Sequence, residues 1–395
     1  MRFVLAITVL LGSWMSFAAD TLSERQYRLL ESAQEQLTQG KYGDVIDSTK
    51  SASENWDSGL GLALILQLRG QAFQLTDLPD RAIEEYRRAL SLNVLDGTRR
   101  SALAAQLAQL YLLGNDSARA REVLIPALQT DPGEGLSHAS AAYVLVAVSY
   151  QIDEKWQESL EWIRQANARE VTPPVTWLTL QAAAEFQTKD FAAAERTMLT
   201  IVVREPDNRT YWIQLAAAQQ FQNKQKAQLA TLELAAQRGL LHGSGEERLM
   251  IQLQAIEGMP ARAARNLAKV IESISSDATD ADLELLAAFH QQARDYDKAA
   301  DIRSNLAKQG NDSAGYSNAV QLAMMSGNCS KVLTLAEENT GLLNGKALLN
   351  AGQCAMDENL DATRWFQRAL QQKDTAVIAR QWLNYIEALR NAGLR

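Results

Sequence analysis

Residues 210–241 read TYWIQLAAAQQFQNKQKAQLATLELAAQRGLL, and the fold of the chain can be worked out from this segment. It contains one glycine, Gly239, and no proline, and alanine and glutamine outnumber its large apolar residues. This composition favours helices, but the apolar heptads of a coiled coil are missing. The spacing of Ala216, Gln219 and Leu232 instead matches a pattern that recurs along the chain.

The recurring pattern combines small and large residues at fixed spacing. A small residue is followed three positions later by a large one. Further on come a second small residue, then an apolar or aromatic residue, and then another small residue. Gly70, Phe73, Ala82, Tyr86 and Ala89 show it. This is the pattern of the tetratricopeptide repeat (TPR), a pair of antiparallel helices A and B. The small residues let the two helices cross closely, and each hairpin must stack on its neighbours to bury its apolar face.

The pattern recurs about ten times in the chain, and residues 210–241 form the sixth repeat. We therefore predict an all-α TPR solenoid, a right-handed superhelix of about ten hairpins over residues 19–373. Residues 374–395 are predicted to form a capping helix and tail. No composition shift marks a second domain. The small residues of the ten A helices lie at or near Ala33, Gly70, Ala108, Ala147, Ala182, Ala216, Ile251, Ala287, Val320 and Gly352.

The N-terminal segment differs from the repeats. Arg2 is followed by an apolar run, and Ser16 and Ala18 fit the small-residue rule of signal-peptidase sites. We interpret residues 1–18 as a signal peptide cleaved after Ala18, which would export the mature chain. The alternative is an uncleaved anchor, although the run is short for a membrane span.

The remaining composition argues against several classes of function. The net charge of −8 disfavours a general nucleic-acid binder. His138, His242 and His290 lie in distant repeats without a metal-ligand spacing. The sequence shows no phosphate-binding loop and no nucleophile elbow. We therefore predict no catalytic, cofactor-binding or metal-binding residue, and no cofactor.

The A helices of TPR arrays line the concave surface, where partners usually bind. Counting along these helices predicts a neutral, amide-rich groove, which suits hydrogen bonding to the main chain of a protein partner. The alternative is that each glutamine is an ordinary solvated helix residue. The candidate lining consists of Gln67, Gln71, Gln74, Gln109, Gln151, Phe186, Ile213, Gln220, Glu284 and Gln291.

The chain has two cysteines, Cys329 and Cys354. Cys329 lies at the turn of the ninth repeat, and Cys354 lies late in helix A of the tenth, near the same edge of the array. Parallel stacking of the repeats would bring the two sulfurs within bridging range. The pair is either a disulfide, worth about 3 kcal/mol for a loop of this size, or two thiols buried in a helical core.

Three segments resemble exported TPR proteins of Gram-negative bacteria that are described as components of the TonB transport system. The segments are SERQYRLLESAQEQLTQGKY (23–42), YWIQLAAAQQFQNKQKAQLATLELAAQRGLL (211–241) and IARQWLNYIEAL (378–389). A departure is Asn223 and its neighbours, where that family usually carries glycine or aspartate. The resemblance implies a periplasmic accessory of the TonB, ExbB and ExbD energy-transduction machinery.

Three functions remain open at this point. The first is a non-catalytic periplasmic scaffold or adaptor that binds protein, with TonB, ExbB or ExbD as partners and at most peripheral contact with the membrane. The second is an envelope-assembly scaffold for secretion or polysaccharide export. The third, a peptidoglycan-acting enzyme, would need a separate globular domain with a glutamate acid, and the repeats leave no room for one.

Overall fold

The computed structural model describes residues 22–133, 137–274 and 279–392, and these contain helices and connecting segments only. The predicted signal peptide, residues 1–18, lies outside the described residues. The chain divides into two compact units, which we call the N-terminal half (residues 1–204) and the C-terminal half (residues 205–395). Within the described ranges, no helix is long and apolar enough to cross a membrane.

The N-terminal half consists of five antiparallel hairpins, numbered 1 to 5, in which each odd-numbered helix is helix A and the next is helix B. Their apolar faces meet in two core clusters, one of which runs through hairpins 2 to 4 into hairpin 5. The helices are α1 Glu24–Thr38, α2 Tyr42–Asn55, α3 Leu60–Leu75, α4 Pro79–Ser91, α5 Gly97–Leu113, α6 Ser117–Gln129, α7 Ser140–Ile152, α8 Trp156–Ala168, α9 Val175–Gln187 and α10 Phe191–Arg204.

The C-terminal half consists of five further hairpins, 6 to 10, and a final helix that packs on helix B of hairpin 10. The prediction of an all-α TPR array with ten hairpins and a capping helix is thus confirmed for the described residues, and residues 210–241 form hairpin 6. The helices are α11 Arg209–Phe221, α12 Gln225–Gln237, α13 Gly245–Ile256, α14 Pro260–Ile274, α15 Asp280–Gln292, α16 Tyr296–Gly310, α17 Ser313–Met325, α18 Cys329–Glu338, α19 Gly345–Asp357, α20 Thr363–Leu370 and α21 Ala376–Asn391.

Each turn from helix A to helix B contains one residue in the left-handed backbone conformation, with φ between 57° and 81°. Glycine adopts this conformation without strain, and asparagine and aspartate tolerate it better than other residues. Asn223, in the turn of hairpin 6, is such a residue. The ten residues are Gly40, Asp77, Asn115, Glu154, Lys189, Asn223, Gly258, Arg294, Gly327 and Asn359.

The small residues of the repeat pattern lie where helices A and B cross. A Cβ atom on Gly70 would lie 2.2 Å from the ring of Tyr86, and one on Gly352 would lie 2.5 Å from the ring of Phe366. Both rings are completely buried. The glycines are therefore required for close approach of the two helices and not for a special backbone angle.

Hairpins 5, 6 and 7 replace the large apolar residue of helix A with a buried polar one. Inside each hairpin, this side chain is bonded to a polar residue twelve positions later on helix B. The pairs are Glu185 with Thr197 at 2.8 Å, Gln219 with Thr231 at 2.8 Å and Gln254 with Asn266 at 2.9 Å. Because each buried group has a partner, these hairpins avoid the cost of an unsatisfied polar atom.

Candidate functional site

The predicted lining residues lie on the A helices of hairpins 2 to 6 and 8. Gln220, Glu284 and Gln291 are exposed, and the other seven are half-buried. Their partial exposure is consistent with a helix face that is open on one side. Their role in binding a partner stays a prediction.

Two of these glutamines also stabilise the array. The Gln74 side-chain oxygen accepts a hydrogen bond of 3.3 Å from the Tyr86 hydroxyl within hairpin 2. The Gln151 amide nitrogen donates a 3.0 Å bond to the main-chain oxygen of Leu180 in the next hairpin. Substituting either one would therefore disturb packing as well as the surface.

An open cleft of about 840 Å³ lies at the C-terminal end of the chain, between α17, α19 and α21. The sequence prediction missed it because the count along the A helices stopped at hairpin 8. The repeat spacing does indicate these residues. Gln353 and Met356 lie one and four positions after Gly352, and Gln71 and Gln74 lie one and four positions after Gly70. The lining is Met324, Gln353, Met356, Asp357, Gln381, Trp382 and Tyr385.

Packing against a buried ring holds the aromatic wall of this cleft in place. The Trp382 ring stacks on the buried Phe366 ring at a centroid distance of 5.4 Å and an interplanar angle of 7°. Tyr385 meets Trp382 edge to face at 6.0 Å, and Tyr385 remains 51% exposed. Helical tryptophans usually serve packing, and Trp382 does so through Phe366 while it also lines the cleft.

The polar groups of the cleft are free to meet a partner. The side chains of Gln353, Gln381 and Asp357 form no hydrogen bond or ion pair with another described residue. Amides both donate and accept hydrogen bonds, and thioethers and aromatic rings offer adaptable apolar contact. The cleft can therefore hold an apolar side chain and bond the polar groups beside it.

The two cysteines lie next to this cleft and form a disulfide bridge between α18 and α19. Their Cα atoms are 5.0 Å apart, which is ordinary for a bridged pair. Cys354 is fully buried, and its sulfur lies 3.5 Å from the sulfur of Met324 in the cleft wall. The bridge thus ties helix B of hairpin 9 to the helix that supplies Gln353 and Met356.

His138 precedes α7 and His290 lies in α15, so the two belong to different hairpins. His138 is buried, with its ring nitrogens 2.8 Å from the Ser101 hydroxyl and 2.9 Å from the Thr130 main-chain oxygen. Burial lowers the pKa of His290, which lies 3.3 Å from a carboxylate oxygen of Asp295. Over the described ranges, no three histidine, cysteine or acidic side chains are placed to hold a metal ion.

No protein-family model matches the sequence. No curated protein matches it either. Solved structures do resemble the chain. The C-terminal part of a TPR repeat-containing protein from Cytophaga hutchinsonii is 15% identical over 71% of this chain and 94% of that one, with a TM-score of 0.41.

Two further solved structures show the same kind of similarity. A tetratricopeptide repeat protein from Parabacteroides merdae is 15% identical over 72% of this chain and 98% of that one, with a TM-score of 0.27. The TPR domain of P58(IPK) is 13% identical over 93% of this chain and 99% of that one, with a TM-score of 0.25. At these identities the likeness concerns the fold alone. The paired helices and their crossing residues define an all-α protein of TPR-type hairpins.

Proposed function

We propose that the protein is a non-catalytic adaptor that binds a segment of a partner protein along its A helices, with the C-terminal cleft as one binding site. The observation that carries this proposal is the cleft itself. Its wall combines Met324, Met356, Trp382 and Tyr385 with free amides and a single carboxylate. Such a mixture anchors an apolar side chain and bonds the neighbouring main chain.

We further propose that the mature protein works in the periplasm as an accessory of TonB, ExbB and ExbD. Two observations support this. Residues 1–18 have the composition of a cleavable signal peptide, and the disulfide suits an oxidising compartment outside the cytosol. The TonB link rests on the resemblance of segments 23–42, 211–241 and 378–389 to exported TPR proteins.

The experiment measures binding of the purified mature protein to the periplasmic domains of TonB and ExbD and to detergent-solubilised ExbB. The test variant is Tyr385→Ala, which removes an exposed ring from the cleft. The matched control is Ile378→Ala on the same helix, because Ile378 is 47% exposed but does not line the cleft. We expect one component to bind, with affinity reduced in Tyr385→Ala and unchanged in Ile378→Ala.

The outcomes separate the parts of the proposal. Binding that is equal in both variants would contradict the cleft as the site. If none of the three components binds, the TonB link is wrong, and secretion or polysaccharide-export components become the next candidates. Release of peptidoglycan fragments by the purified protein would contradict the non-catalytic assignment.

A further inference from the structure

A row of exposed apolar side chains runs beside the predicted lining of the N-terminal half. Leu75, Leu113 and Ile152 are each the last residue of helix A in hairpins 2, 3 and 4. Their exposed fractions are 55%, 74% and 44%. We call these three residues the apolar row. Each follows the small crossing residue of its hairpin by five positions, so the row is a repeated feature of the array.

The apolar row adjoins the glutamine-rich face of the same helices. Leu75 follows Gln71 by four positions and Leu113 follows Gln109 by four, and residues four apart lie on one face of a helix. Half-buried amides therefore border exposed apolar groups along this edge. Isolated exposed leucines need no explanation, but a row at one repeat position is the kind of surface that binds a partner.

The spacing of the row indicates the shape of the partner. The A helices α5 and α7, which carry Leu113 and Ile152, pack directly on each other, and packed helices lie about 8–10 Å apart. A helix advances about 10.5 Å in seven residues, which matches one residue of the row per heptad. A β-strand returns to the same face every two residues, at about 6.7 or 13.4 Å, and fits less well.

The charges at the adjoining turns indicate the sign of the partner. Asp77 and Asp80 follow Leu75, and Glu154 and Glu158 follow Ile152; none of these four forms an ion pair with another described residue. The basic residues near these turns are Lys155, Arg81 and Arg119, and the two arginines are paired, Arg81 with Glu84 and Arg119 with Asp116. Asp153 is already bonded to Ser117 and Arg121, and these contacts, the Ser117 hydrogen bond first, lower the pKa of its carboxyl.

We infer that the apolar row docks an amphipathic helix of a partner protein, with one apolar residue per heptad toward the row and basic residues beside it. The apolar contacts supply affinity, and the unpaired acidic groups attract and orient the helix. This inference rests on the proposed protein-binding function and adds a second site, distinct from the cleft, with a defined kind of partner.

The test uses a labelled synthetic peptide of about three heptads, with one leucine per heptad and lysines on either side, and measures binding by fluorescence anisotropy. A peptide of equal composition with irregularly spaced leucines is the peptide control. Leu113→Ser is the test variant. Val171→Ser is the matched protein control, because Val171 is fully exposed in the α8–α9 connection, away from the row.

We expect the regular peptide to bind, with about tenfold or greater loss of affinity in Leu113→Ser and no change in Val171→Ser. Glu154→Gln should weaken binding at low salt, and the difference should fade as salt screens the charges. Circular dichroism checks that Leu113→Ser remains helical.

Two results would overturn the inference: equal binding of both peptides, or a dimer of the protein that Leu113→Ser dissociates in sedimentation. The last would assign the row to a second copy of this chain. If the regular peptide does not bind, but a TonB-system component still binds in a way that depends on Tyr385, the apolar row is wrong as a binding site and the cleft is not affected. Failure of both would also remove the proposed function.

Discussion

Replacing Gly70 with alanine tests whether the close crossing of helices A and B fixes a hairpin. The new Cβ atom would lie 2.2, 2.5 and 3.0 Å from three carbons of the Tyr86 ring, whereas ordinary carbon contacts are about 3.5–4.0 Å. Tyr86 is completely buried and its hydroxyl donates a hydrogen bond to Gln74. The ring therefore cannot move aside unless its neighbours move as well.

The expected magnitude follows from two opposing effects. Overpacking a buried site costs about 1–3 kcal/mol, while alanine is favoured over glycine in a helix by up to about 1 kcal/mol. We expect Gly70→Ala to destabilise the N-terminal half by about 1–2 kcal/mol. Gly43→Ala is the control, because a Cβ atom there meets no atom within 4 Å and should leave stability unchanged or slightly increased.

The assay is urea unfolding followed by far-ultraviolet circular dichroism, combined with hydrogen exchange of the α3 and α4 amides. Hydrogen exchange is needed because hairpin arrays can open locally. The double variant Gly70→Ala, Tyr86→Leu should lose less than the sum of the two single variants, since the smaller side chain relieves the clash. An unfolding midpoint for Gly70→Ala at or above the wild-type value, or simple additivity in the double variant, would show that contact with the Tyr86 ring does not limit the crossing of α3 and α4.

Other predictions concern charge and the disulfide. Glu85→Ala should destabilise the protein by about 3 kcal/mol, because it leaves the buried Arg69 guanidinium without its carboxylate. Glu84→Ala, at the exposed neighbouring position, should destabilise it by less than about 1 kcal/mol. Urea unfolding measures both. The hydrogen bond from Arg248 holds the pKa of the Asp282 carboxyl below its ordinary value of 3.8. The stability that this carboxylate contributes is therefore present above pH 3.8 and lost as pH falls through the lower folded-state pKa. In thermal melts taken from pH 5 downwards, the melting temperature of Asp282→Asn should fall less steeply with pH than that of the wild type. Reduction of the disulfide should lower stability by about 3 kcal/mol, and mass spectrometry with thiol alkylation should find no free thiol before reduction.

The repeat architecture could be predicted because each hairpin repeats the same packing requirement. Gly70 and Gly352 stand at equivalent positions, and each lies directly against a buried ring of its own hairpin. One periodic signal read ten times is much stronger than any single helix assignment. The same counting, continued past hairpin 8, would have found Gln353 and Met356 in the cleft.

Other features depend on three-dimensional neighbours that the spacing does not specify. Gln219 occupies the place of a large packing residue, and only the structure shows that Thr231 satisfies it. The pairing of Cys329 with Cys354 depends on the register between α18 and α19, so the sequence left two alternatives open. The division into two compact halves near residue 204 has no counterpart in composition.

The left-handed turns imply that the hairpins differ in how readily they open. Glycine occupies three of the ten positions, but Glu154, Lys189 and Arg294 must each adopt a conformation that costs an ordinary residue about 1–2 kcal/mol. In an array where each hairpin contacts only its neighbours, such a cost stays local. Fluctuations should therefore begin at hairpins 4, 5 and 8, and evolution could adjust the flexibility of each through a single turn residue, without changing the core.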